Sequence, residues 1–189
     1  MKYDRTIIAY HGCDAEVAER LLAGAPFQMS ENDYDWLGSG IYFWEFGSRR
    51  ALDFAHFQTK FGRVKTPSVV GAVIQLGNCF DLMDTRFTAP LRAAYRIFRA
   101  TAERSGQPIP ENGGRTPDKE LRRLDCAVLN YYLRAVDEKG LSFDTVRCAF
   151  AEGPPAFPGS RLRTQSHIQL AVRNPDCILG VFRPMMEER

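Results

Sequence analysis

The segment SVVGAVIQL, residues 68–76, is apolar almost throughout and is bounded by Pro67 and Gly77. A run that short, rich in β-branched residues and closed at both ends by turn formers, reads as a buried strand. A chain holding such a strand must fold other elements over it. Further strands are expected at TIIAYHG (6–12), GIYFW (40–44), TVRCAFAEG (145–153), HIQLAV (167–172) and CILGVFRP (177–184). They lie toward both ends of the chain with helical patterns between them. That order predicts an α+β domain with a mostly antiparallel or mixed sheet.

The helices announce themselves by capping and spacing. Asp14 can cap a helix over 14–24 that Gly24 stops, with Val17, Leu21 and Leu22 on one face. Ser48 can cap a second, SRRALDFAHFQTKFG, with Ala51, Phe54 and Ala55 on one side. Leu91, Tyr95, Phe98 and Ala102 keep helical spacing, as do Leu121, Leu124, Val128, Tyr131 and Ala135. Between these two lies SGQPIPENGGRTPDKE (105–120), rich in Gly and Pro and read as an exposed, mobile loop. Neither side of it looks self-sufficient, so residues 1–189 are expected to form one domain, with a helical insert over about 86–140.

Composition narrows the function classes. With 25 basic and 23 acidic residues the net charge is +2, too balanced for bulk-charge binding to nucleic acid or membrane. No apolar run approaches the ~18 residues of a transmembrane helix. The start, MKYDRTIIAYHG, lacks the apolar core of a secretory signal, and a cytoplasmic location is expected. The five cysteines are scattered, odd in number and without a CxxC pair, which argues against a disulfide framework or a zinc site. Cys13, beside His11, could be a nucleophile, although no activating pattern surrounds it.

Three places could carry chemistry. His11-Gly12 ends the first strand, where an imidazole at the sheet rim can reach a ligand or simply cap a turn. In Gly38-Ser39-Gly40-Ile41-Tyr42-Phe43, alternation sends Ile41 and Phe43 to the core and turns Tyr42 outward, as a platform for a planar ring or as an ordinary strand tyrosine. In Thr164 to Leu170, His167 and Gln169 share a face and either form a site or meet water.

Together these segments resemble the ADP-ribosyltransferase superfamily, closest to the branch of poly(ADP-ribose) polymerases and diphtheria-type toxins named for a His-Tyr-Glu signature. In that branch HG follows the first strand, and about thirty residues later a G-x-G-I-Y-F strand leads into a helix beginning S-x-S-A-x-Y. This chain has His11-Gly12, GSGIYF from Gly38 to Phe43, and Ser48 to Phe54. The resemblance is good over 6–56, looser over 68–82 and 145–184, and absent from the insert.

The resemblance implies a split, mixed or antiparallel sheet with a helical insertion, and NAD⁺ as the ligand. His11 would bond a ribose hydroxyl and the Gly12 backbone the nicotinamide amide. Tyr42 would stack on the nicotinamide, with Gly40 beside it. Phe54, where the family often has a second tyrosine, would cover the other face, and Ser48 would reach the amide. The family's glutamate opens the late strand, and here that place holds His167, with Gln169 two residues on. Glu152 or Glu45 would have to supply a carboxylate from elsewhere. A mono-ADP-ribosyltransferase is therefore expected. It would be an intracellular toxin or defence enzyme with a protein or nucleic-acid acceptor, no membrane partner, and a neutralising protein if it is a toxin. The alternatives are an inactive NAD⁺- or ADP-ribose-binding module and an RNA 2′-phosphotransferase, for which Arg161 and Arg163 could bind phosphate.

Overall fold

The computed structural model describes residues 3–185, of Tyr3 and Asp4 the backbone alone. In chain order the elements are β1 (Tyr3–Asp14), α1 (Ala15–Leu22), β2 (Ile41–Glu45), α2 (Ser48–Thr59), β3 (Pro67–Gly77), β4 (Cys79–Asp81), α3 (Thr88–Ser105), α4 (Arg123–Asp137), β5 (Thr145–Phe150), β6 (His167–Val172) and β7 (Ile178–Phe182). The seven strands form one sheet in the order β4-β5-β6-β2-β1-β3-β7. Among the described strands only β4 and β5 pair in parallel. The architecture is thus mixed α/β around a mixed sheet, as the strand and helix patterns predict.

The joint in the middle of this sheet is narrow. β1 runs along β3 from Tyr3 to Asp14, but it pairs with β2 only at Ala9↔Glu45 and Tyr10↔Trp44. Beyond Tyr10 the strands part, dividing the sheet into a β4-β5-β6-β2 block and a β1-β3-β7 block.

Side-chain alternation distributes the cores. Ile7, Ala9, Ile41, Phe43, Ala72, Ile74 and Leu170 form one cluster on the face that α1 also covers, through Leu21 against Val70. On the opposite face α4 lays Leu129 and Leu133 over Phe80, Val146 and Ala171, while α2 packs Ala51 against Trp44 and Val69. Asp14 caps α1 by accepting from Glu16 N, and its other oxygen accepts from Lys65 N and Thr66 N. Those bonds hold its carboxyl below the usual range.

Four expectations need correction. His11 is not at a strand end, because β1 stays laddered to β3 as far as Asp14. Ser48 is the first helical residue of α2 and caps nothing; the cap position is Gly47, with no side-chain bond. The three-residue strand β4 was not expected, since its pairing is with β5, far along the chain. The 105–120 loop is exposed, as expected, and its last residues are hydrogen-bonded. Glu120 accepts from Arg115 N and from Thr116 N and Oγ1, bonds that pull its carboxyl to about 2, and Asp118 accepts from Gly153 N. Glu45 is not a rim acid: its side chain is 1% exposed and is gripped by Arg147, which also holds Asp81 at 2.9 Å.

All five thiols are free. Burial pushes Cys13, Cys126, Cys148 and Cys177 up to about 11 and Cys79 to about 12. Cys13 is therefore not an activated nucleophile. No helix among the described residues is long and apolar enough to cross a membrane.

Candidate functional site

The place where β1 leaves β2 is chemically unusual. Ile8 C=O accepts from Phe46 N, so the even-numbered residues of β1 direct their backbone groups toward β2. Tyr10 still has its partner there, whereas Gly12 lies beyond the end of the ladder. A residue in extended conformation points its own N–H and C=O to the same side. Gly12, buried beneath α2, thereby directs one donor and one acceptor to the same unladdered side, the geometry that complements a primary carboxamide.

Only glycine fits. A Cβ on Gly12 would stand 2.0 Å from Ala51 O and 2.9 Å from Ala51 C, both backbone atoms of α2. The small residue at 51 lets the first turn of α2 come down on the strand.

His11 spans the opening. Its Nδ1 lies 2.8 Å from Tyr42 O. A carbonyl only accepts, so Nδ1 carries the proton and Nε2 keeps a lone pair. Burial, the largest influence, lowers the His11 pKa despite that bond, so the ring is neutral at pH 7. It sits among Phe27 and Phe43 and lines a small cleft of about 60 Å³ with Arg20 and Pro26.

On the opposite face, around the start of β6, polar atoms are left without partners. Trp44 faces Gln169 across the β2–β6 ladder, and His167 is two residues from Gln169 on the same side. Trp44 Nε1, His167 Nε2, Gln169 Oε1 and Arg50 Nε are all buried with no hydrogen-bond partner. Buried polar groups in folded proteins are nearly always paired, so several orphans converging on one spot mark a place built for something else to bond.

The His167 ring lies within 5.7–6.4 Å of the Trp36, Trp44 and Phe150 rings. Its Nδ1 is 2.8 Å from Gln165 O and 3.6 Å from Glu152 Oε2, and Glu152 is held at 2.6 Å by Arg50. The proton is again on Nδ1 and the lone pair on Nε2. Burial first, then the Arg50 charge, lowers this pKa as well. A neutral His167 adds no positive charge to the site. Trp36 and Phe150 also wall an apolar cavity of about 500 Å³ beneath α3 and α4.

The structure therefore brings together three of the expected residues, Glu152, His167 and Gln169, and adds Trp44 and Arg50. It sets His11 on the other face, beside the opening. Tyr42 does not face out as a bare platform. Its ring packs against the cluster beneath α4, and its hydroxyl donates to Gly38 O at 2.6 Å and accepts from Leu37 N at 2.8 Å. Gly40 cannot offer its backbone, which is bonded both ways to Ser30. Phe54 packs against Trp44 at 4.9 Å with the rings tilted by 45°, and does not oppose Tyr42. The sixth position of the helix pattern counted from Ser48 is Asp53, an exposed carboxylate 3.4 Å from Arg49. Trp44 was legible: it shares Tyr42's face by strand alternation. Arg50 was not, because nothing local announces a partner 102 positions away. Among the described residues no group of three or more His, Cys, Asp or Glu side chains could hold a metal ion.

Comparison of the chain with protein-family models, with curated proteins and with solved structures found no significant match.

The two neutral histidines make a pH prediction. Their folded pKa values lie below the unfolded value near 6.5, so between the two the unfolded chain binds more protons. Stability is complete above that value and is lost as pH falls below it. Urea midpoints at pH 7.5 and 5.5 should therefore differ more in the wild type than in His11→Gln. An equal difference in the two proteins would mean that His11 is not held neutral.

Proposed function

We propose that the chain is an NAD⁺-dependent mono-ADP-ribosyltransferase. The observation that carries this reading is the open edge of β1 at Gly12, a carboxamide-shaped donor and acceptor beside orphaned polar atoms. NAD⁺ supplies a glycosidic C–N bond whose heterolysis sends its electron pair to nicotinamide and leaves positive charge on the sugar. Gly12 would hold the departing ring by its amide. Trp44 shares the strand face beside it, and Tyr42, packed beneath α4 with its hydroxyl bonded to Gly38 O and Leu37 N, holds that strand in place. His11 Nε2, an acceptor, fits a ribose hydroxyl. Gln169 Oε1 and His167 Nε2 are uncharged acceptors that can orient hydroxyls and favour a cationic sugar without a free carboxylate. His167 Nε2 is also the site to take the proton from an incoming nucleophile, with Gln165 O fixing its tautomer.

The test is nicotinamide release from NAD⁺ by the purified chain, with and without cell lysate. Release is expected, more of it with lysate, and reduced about a hundredfold in Tyr42→Ala. Because Tyr42 also packs the core, Gln169→Ala is measured beside it and both variants are checked for a cooperative thermal transition. No release from folded wild type would remove the catalytic reading. It would favour a module that binds NAD⁺ without turning it over, for which one observation already speaks: Glu152, the carboxylate nearest the cluster, is neutralised by Arg50. Calorimetry with NAD⁺ decides that case.

A further inference from the structure

The last turn of α2 and the connection to β3 read HFQTKFGRVK, residues 56–65. This stretch holds three cations, Lys60, Arg63 and Lys65, and no acid, in a chain whose net charge is only +2. It also carries two of the most exposed aromatics of the fold, Phe57 at 48% and Phe61 at 60%. Their rings meet edge to face at 5.2 Å. Lys60 lies over Phe57 at 5.5 Å and Arg63 over Phe61 at 5.9 Å. Arg63 also donates to Tyr34 Oη at 3.1 Å, which adds a third ring at the edge of the patch.

Nothing in the packing of the core calls for this arrangement, yet it is held firmly. Val64 is buried beneath it, and Gly62 turns the chain at φ +67°. Lys60, Phe61, Gly62 and Arg63 each donate their backbone N–H to the last turn of α2. Asp14, beside Lys65, is engaged with Lys65 N and Thr66 N, and Asp53, one turn before Phe57, pairs with Arg49. The aromatics and cations are thus displayed in fixed places at little ordering cost on binding.

We infer that this surface binds single-stranded nucleic acid. Exposed rings interleaved with cations match a polymer that alternates flat bases with phosphates. A duplex hides its base faces within the stack and could use only the charges. An anionic membrane could use both, but two rings spaced among three cations form no continuous apolar ridge to enter it. The surface is also placed to serve the proposed reaction. Arg50, in the site, and Phe57, in the patch, are seven residues apart on one helix, about 10 Å along its axis. Binding here does not rest on the NAD⁺ reading. Only the further role of presenting an acceptor strand does.

The experiment is fluorescence anisotropy with a labelled single-stranded oligonucleotide, a duplex of the same sequence and phosphatidylserine vesicles, over a salt series. Single strand should bind best, with log K falling against log salt at a slope of about −2, as three phosphate contacts require. Phe57→Ala/Phe61→Ala should weaken it tenfold or more. Lys60→Gln/Arg63→Gln should bring the slope to about −0.7. Binding of the duplex as tight as the single strand would overturn the proposal. So would vesicle binding without oligonucleotide binding, or affinity indifferent to both phenylalanines. Basal nicotinamide release should be unchanged in Phe57→Ala/Phe61→Ala, so failure of one proposal is visible without failure of the other.

Discussion

Gly12→Ala is expected to abolish nicotinamide release and to lower the melting temperature together. The added methyl would meet the carbonyl of Ala51 at 2.0 Å, and a backbone atom cannot swing away as a side chain can. Either β1 or the first turn of α2 must move. Overpacking of this kind costs about 1–3 kcal/mol, and more where the obstacle is rigid. The same movement would displace Arg50, next to Ala51, and with it the ion pair to Glu152. A second substitution sharpens the result. Ala51→Gly removes a side chain but leaves the carbonyl, so it should not rescue Gly12→Ala. Recovery of stability in the double variant would show that the fit depends on the Ala51 methyl. Normal release by Gly12→Ala would show that the open edge is not where the amide binds.

Arg147→Met should be the most destabilising single change outside the site. Arg147 is 4% exposed and holds two carboxylates from different strands, Glu45 on β2 and Asp81 on β4. Removing the guanidinium leaves two like charges buried side by side, a loss of about 3–5 kcal/mol. Arg5 reaches Glu45 at 3.5 Å but is half exposed and cannot replace it. Neutralising the acids as well, in Arg147→Met/Glu45→Gln/Asp81→Asn, should recover much of the loss. A cost below about 1 kcal/mol for Arg147→Met, read from urea unfolding, would mean that water reaches this triad.

How far the fold could be read from residues alone depends on how local each signal is. Alternation in β2 and β6 assigned their faces correctly, because a period of two needs no knowledge of neighbours. Asp14 capped the helix it was expected to cap, since the bond to Glu16 N spans two residues. Ser48 failed at the same task because Gly47, one residue earlier, already turns the chain out of the strand. β4 escaped notice for a different reason: three residues gain strand character only from β5, which follows the whole helical insert. The site divides along the same line. His11, Gly12 and Tyr42 stand out as short motifs. The burial of Tyr42 under α4, the capture of Glu45 by Arg147 and the pairing of Glu152 with Arg50 are contacts between distant segments, and no local pattern carries them.

The five thiols, four of them buried and Cys148 half-buried, give the molecule an internal set of clocks. At neutral pH a thiol with a pKa near 11 is ionised in roughly one molecule in ten thousand, so an alkylating reagent finds almost nothing to attack in the closed protein. Once a segment opens, its cysteine meets water and reacts at the ordinary rate of a free thiol. Cys13 reports on β1, Cys79 on β4, Cys126 on α4, Cys148 on β5 and Cys177 on the turn before β7. Timed alkylation read by peptide mass would rank the opening of those five segments without a single engineered label. It would also tell whether the two halves of the divided sheet come apart separately or together.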